Sequence, residues 1–167
     1  TPMVNRALRG LYPPGSIFKP FIGMAALESG ALTQTSAINS PGSVKLCGRE
    51  WRSPSRGHGT IPLSTAIQVS SDTFFYQLAY NRMEIDRFSA ALKEFRLGEL
   101  TGIDLDNEAK GIRPSREWKQ ARFPGKEGEW NRCDIISASI GQGYNAYTPL
   151  QMANATAIIA NKGVAFK

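Results

Sequence analysis

The sequence predicts a helix-dominated globular domain with little strand, and three observations carry that reading. Apolar residues recur at helical spacing in Phe18, Phe21, Ile22, Ala25 and Ala26, and again in Ile85, Phe88, Leu92 and Phe95. Helix boundaries are marked chemically, with Pro, Ser or Thr at starts and Gly at stops. Only Ser43–Cys47, inside a Gly-, Pro- and Ser-dense stretch from 31 to 60, reads as a strand; the rest of that stretch reads as loop. With 167 residues, 41% of them hydrophobic and 20% charged, the chain can form one real core and does not have the composition of a disordered segment.

The first helix is predicted from about Ser16 to Glu28, with Gly30 as its stop. Its approach, Leu11-Tyr12-Pro13-Pro14-Gly15-Ser16-Ile17-Phe18-Lys19-Pro20, combines an extended segment, a sharp turn and a proline tolerated near a helix start. Ser16 therefore stands where chain becomes helix, and Lys19 lies three residues on, on the same face. A hydroxyl becomes a useful nucleophile when a base lies within hydrogen-bond reach, and a desolvated lysine can be that base. The apolar stripe predicts that this helix is buried, with Phe18, Phe21 and Ile22 surrounding the lysine. A helix N-terminus also offers free N–H groups and positive potential to an oxyanion. The alternative for the same residues is an N-cap serine and a solvated first-turn lysine.

Further along, Leu63–Val69 reads as a short helix, broken by Ser70-Ser71-Asp72 before a second helix over Thr73–Tyr80. A polar break between two helices can aim Ser70 and Asp72 into a cleft, although Ser71 or Asp72 also makes a good N-cap. A third helix spans about Asp86–Phe95 with Gly98 as its stop. Pro114-Ser115-Arg116-Glu117-Trp118 reads as a helix start capped by Ser115, and residues 122–133 as loop. The last helix opens at Thr148-Pro149-Leu150-Gln151, which has an N-cap, a first-turn proline and a capping-box glutamine. It should end near Asn161, with Gly163 as its stop. Gly141 and Gly143 read as a turn.

The net charge of +6 concentrates locally in Arg49, Arg52 and Arg56, without the basic stripe or reading module of a nucleic-acid face. No nucleic-acid partner is expected. Cys47 and Cys133 are too few for a disulfide framework, and nothing in their spacing shows whether they approach. Cys47 and His58 fall short of the four ligands of a structural zinc site, so no metal or other cofactor is expected. No apolar run approaches the ~20 residues of a membrane span, and the chain opens at Thr1 with no signal peptide and stops at Lys167. It reads as a fragment.

Tyr-Pro-Pro-Gly-Ser-x-x-Lys-Pro resembles the nucleophile motif of class B penicillin-binding proteins, the monofunctional peptidoglycan transpeptidases. Ser70-Ser71-Asp72 resembles their second motif, usually Ser-x-Asn, and follows at close to the family's spacing. Phe74-Phe75-Tyr76-Gln77, Thr101-Gly102-Ile103-Asp104-Leu105, Ile140-Gly141-Gln142-Gly143 and Thr148-Pro149-Leu150-Gln151-Met152-Ala153 also look like family segments. An Asp in the second motif is similar to the elongation-type subgroup, penicillin-binding protein 2. The substitution matters, because an ionised Asp72 accepts hydrogen bonds and cannot donate an amide to substrate.

The resemblance implies the α+β serine β-lactamase/transpeptidase-like fold, of which residues 1–167 would be mostly the helical subdomain. It also implies a catalytic set of Ser16 as nucleophile, Lys19 as base, Ser70 as proton relay and Asp72 as orienting group. The substrate would be the D-Ala-D-Ala end of peptidoglycan stem peptides, with β-lactams as trapping ligands. Elongation-complex membrane proteins would be partners, at the periplasmic face of the inner membrane. The family's third motif, Lys-[Ser/Thr]-Gly on a sheet strand, does not occur in this sequence. On that reading the helices lack the sheet they pack on, leaving Phe88, Leu92 and Phe95 partly exposed. A serine β-lactamase or β-lactam sensor domain, and a non-catalytic cell-wall scaffold, are the alternatives.

Overall fold

A computed structural model describes residues 4–165 of the chain. In chain order the elements are α1 (Arg6–Arg9), a 3-10 turn (Gly15–Phe18), α2 (Lys19–Glu28), β1 (Ala37–Ser40), β2 (Ser43–Leu46), β3 (Arg49–Arg52) and β4 (Gly59–Pro62). Then follow α3 (Leu63–Gln68), α4 (Asp72–Arg82), α5 (Ile85–Glu94), α6 (Arg116–Arg122), a second 3-10 turn (Gly125–Gly128), α7 (Asp134–Ala138) and α8 (Pro149–Ala160).

The centre of the fold is α4. Asp72, Thr73, Phe74, Phe75, Tyr76, Leu78 and Ala79 are all buried, so the helix lacks the solvated stripe of a surface helix. It packs against α2, α7 and the strands β1, β2 and β3. Beside it, the ring of Phe18 stacks on Tyr147 with centroids 5.8 Å apart, and Phe21 meets Phe95 edge-on at 5.1 Å. Phe88 and Leu92 are 0% exposed and Phe95 7%. The expected exposure of that stripe is therefore overturned: α5 lays it against α2, so the core closes within these residues.

Residues 31 to 60, read mainly as loop, hold two strands besides the predicted one and the start of a third, β4. β1 pairs antiparallel with β4, Ala37 opposite Pro62 and Ser40 opposite Gly59. β2 and β3 form a hairpin, Ser43 opposite Arg52 and Leu46 opposite Arg49. Its two-residue turn, Cys47-Gly48, has φ of 52° and 73°, the left-handed pair that suits the twist of a tight hairpin. Trp51 sits on Tyr76 of α4 at 5.4 Å, and Cys47 is disulfide-bonded to Cys133, the residue before α7.

The predicted caps are present. Thr148 Oγ1 accepts from Gln151 N while Gln151 Oε1 accepts from Thr148 N, both at 3.1 Å, and Ser115 Oγ accepts from Trp118 N at 3.0 Å. One stop moves: Arg96, with φ of 59°, turns the chain at the end of α5, and Gly98 lies two residues beyond.

Candidate active site

Pro20 shapes the first turn. In a continuous α-helix the N–H of residue 20 would bond the Ser16 carbonyl, but proline has no N–H. The Lys19 N–H takes that carbonyl instead, and residues 15–18 wind as a 3-10 turn ahead of α2. The expected helix from Ser16 is thus split into two segments. A 3-10 turn has three residues per turn and eclipses side chains at i and i+3. Lys19 Nζ consequently lies 3.1 Å from Ser16 Oγ.

The second motif is built by a helix ending. The Ser70 N–H bonds Ile67 O at 3.1 Å and the Ser71 N–H bonds Ala66 O at 2.9 Å, the paired closure of a Schellman motif after α3. Ser70 occupies the left-handed position of that motif, normally a glycine's, with φ of 53°. Holding a serine there costs roughly 1–3 kcal/mol, and it turns both oxygens of Ser70 toward one point. Lys19 Nζ donates to Ser70 O at 2.8 Å and to Ser70 Oγ at 2.9 Å. Ser71, next in the chain, caps α4 by accepting from Phe74 N. Its hydroxyl also meets those of Ser40 and Thr73, and Thr73 Oγ1 donates to Pro41 O at 2.7 Å, so a buried hydroxyl cluster ties the motif to the end of β1.

Asp72 completes the set, with Oδ1 2.5 Å from Lys19 Nζ. Lys19 is 1% exposed, whereas Ser16 and Ser70 face solvent. All four residues predicted for the site therefore converge, with the lysine behind and the two hydroxyls in front. The surroundings of Lys19 differ from the apolar collar expected from Phe18, Phe21 and Ile22. The amine sees four polar oxygens, and the ring of Phe75 lies 5.8 Å away. An ammonium has three N–H donors, so these four acceptors compete and Ser16, the most distant, holds the weakest claim. The phenol of Tyr76, on α4, is pushed up to about 12, by burial first and then by the charge of Asp72, so it stays protonated.

A second support was not legible in the sequence. The Gly15 N–H donates to Gly141 O at 3.0 Å, and a Cβ on Gly141 would stand 2.5 Å from Gly15 O and 2.7 Å from Phe18 Cβ. The turn read in Ile140-Gly141-Gln142-Gly143 thus backs directly onto the nucleophile turn. Among the described residues no group of three or more His, Cys, Asp or Glu side chains could hold a metal ion.

The whole chain, residues 1–167, matches the penicillin binding protein transpeptidase domain. The chain belongs to this family. It is 43% identical over 169 residues to the peptidoglycan D,D-transpeptidase MrdA of Escherichia coli K12, covering 98% of this chain and 26% of that protein. Penicillin-binding protein 2 of Pseudomonas aeruginosa, solved with WCK 5153, superposes with a TM-score of 0.89 at 41% identity, over 97% of this chain and 37% of that one. Penicillin-binding protein 2 of Helicobacter pylori, solved in complex with MreC, gives 0.90 at 36% identity, over 98% and 30%. The chain therefore spans about a quarter of the Escherichia coli relative, and its fold is that of a mixed α+β penicillin-binding transpeptidase domain.

Proposed function

We propose that these residues form part of the transpeptidase domain of a peptidoglycan D,D-transpeptidase, and that they supply its nucleophile, base and relay. The observation that carries this is the exposed Ser16 hydroxyl 3.1 Å from the buried amine of Lys19, which Ser70 and Asp72 hold from the other side. Lys19 first gives its ammonium proton to solvent through the exposed Ser70 hydroxyl, 2.9 Å from Nζ. The Ser16 proton then passes to the free amine as Oγ bonds the carbonyl carbon of the penultimate D-alanine. Negative charge collects on the carbonyl oxygen, next to the Ser16 N–H, a first-turn donor with no intrahelical partner. Such a contact is worth about 2.7–4 kcal/mol in other serine enzymes. Collapse breaks the C–N bond to the terminal D-alanine. Its amine leaves with the proton relayed from Lys19 through Ser70, whose Oγ is 2.9 Å from Nζ. Asp72 fixes Nζ throughout and balances the ammonium formed in transit. The amine of a second stem peptide then attacks the acyl ester, forms the cross-link and returns Ser16 Oγ–H.

A β-lactam enters the same path and stops at the acyl-enzyme. The Pseudomonas protein is solved with WCK 5153 and the Helicobacter protein with MreC, which supports an enzyme that binds a small ligand and a protein partner. The family resemblance adds the periplasmic face of the inner membrane as its place of work. A Lys-[Ser/Thr]-Gly strand outside these residues would add the second oxyanion donor and hold the substrate carboxylate. The test compares fluorescent-penicillin labelling of residues 1–167 with that of a longer protein extended through such a strand. Labelling should be on the order of 10²-fold faster or more in the longer protein, since one oxyanion donor alone is worth that much. Equal rates, abolished in both by Ser16→Ala, would mean that no further strand is needed.

A further inference from the structure

We propose that Asn145 and Tyr147 are positioning residues for the nucleophile, acting through the Gly141 turn; the inference rests on the reading of Ser16 as nucleophile. Asn145 is 1% exposed and its amide donates to Ala138 O at 2.9 Å and Gln142 O at 2.8 Å. Those two carbonyls bracket Gly141, whose own carbonyl holds the Gly15 N–H beside Ser16. A primary amide can fit such a space either way round, and only one orientation presents its two donors to the two carbonyls. Tyr147 decides the orientation, because its hydroxyl donates to Asn145 Oδ1 at 2.9 Å. Burial of Tyr147 pushes its phenol far above the usual range, so that O–H is available at every working pH.

Tyr147 grips the nucleophile turn at two further points. Its backbone pairs in both directions with Tyr12, which leads into Pro13-Pro14-Gly15, each bond 3.0 Å long. Its ring stacks on Phe18, which closes the 3-10 turn, at 5.8 Å and 19°. One residue thus holds the approach to Ser16, the far side of its turn and, through Asn145, the glycine packed behind it. Tyr147 is fully buried and Asn145 nearly so, and neither is hydrogen-bonded to Ser16, Lys19, Ser70 or Asp72. What they control is where Ser16 Oγ stands, and a displacement of ~1 Å in a reacting atom can cost 10²-fold in rate.

Two variants of the full-length protein test this. Tyr147→Phe keeps the ring and loses the hydroxyl, while Asn145→Asp keeps the shape but turns an acceptor toward the two carbonyls. Stopped-flow acylation by a fluorescent penicillin separates non-covalent affinity from the acylation step. The expected result is an acylation constant lowered about 10- to 100-fold, with affinity unchanged and labelling at saturation still one per chain. A merely structural role would lower the labelled fraction and leave the rate per active molecule alone; that result overturns the inference. If Asn145→Asp does not fold, Tyr147→Phe decides it by the same criterion. A wild-type protein that is not labelled on Ser16 would instead overturn the reading of the nucleophile, and this inference with it.

Discussion

Asp72 and Lys19 form a buried ion pair at 2.5 Å, and the lysine reaches Ser16 at 3.1 Å with the same nitrogen. Where the family's second motif usually has an asparagine, this chain places a full charge against its base. Removing one partner of a buried pair strands the other, at a cost of about 3–5 kcal/mol. Asp72→Ala should lose that much stability in denaturant unfolding and most of its penicillin acylation. Asp72→Asn keeps an acceptor oxygen at the same place and should retain both more fully. Equal losses in the two variants would mean that Asp72 does not act by holding Nζ.

Pro20 should matter to rate more than to stability. Pro20→Ala restores the N–H that an α-helix would bond to Ser16 O, so the 3-10 turn can relax into α2. Ser16 would then rotate away from the eclipsed position over Lys19. Acylation is expected to fall ~10-fold or more, with little change in the thermal midpoint. An unchanged rate would show that the 3-10 turn is incidental.

Ser70 offers a separation of backbone from hydroxyl. Ser70→Ala and Ser70→Gly both delete the relay, but only glycine is at ease at φ of 53°. Ser70→Gly should be the more stable of the two by about 1 kcal/mol in chemical denaturation, with both slow in acylation. A normal acylation rate in either variant would remove Ser70 from the proton path.

The disulfide joins the hairpin turn at Cys47 to Cys133, just before the helix that leads to the Gly141 turn. It closes a long loop, of sequence separation 86, and such bonds are typically worth about 2–4 kcal/mol. The double variant Cys47→Ser/Cys133→Ser should lose a comparable amount, and added reductant should lower the unfolding midpoint of the wild type but not of the variant. No effect of reductant on the wild type would mean that the bond contributes nothing to stability.

What the sequence disclosed and what it hid divide along range. The caps at Ser115 and Thr148 are legible because their partners lie three residues away. The pairing of Ser16 with Lys19 is legible for the same reason. β1 and β4 were missed because the partner of each lies on the other side of the β2–β3 hairpin. β3, though it pairs locally, was missed because Arg49-Glu50-Trp51-Arg52 lacks an apolar–polar alternation. The grip of Gly141 on Gly15, the disulfide, and the closure of α5 over Phe21 are likewise contacts between distant segments. Composition and spacing cannot report them. Arg96 took the turn expected of Gly98 because the helix ended earlier than its glycine, leaving a side-chain residue in the left-handed position.

The central claim is that Ser16 carries the acyl group, and intact-mass measurement of the full-length protein after penicillin treatment tests it most directly. One adduct per chain is predicted, mapped by peptide analysis to the segment containing Ser16 and absent from Ser16→Ala. An adduct that persists in Ser16→Ala, or one that maps to Ser70, would contradict the account.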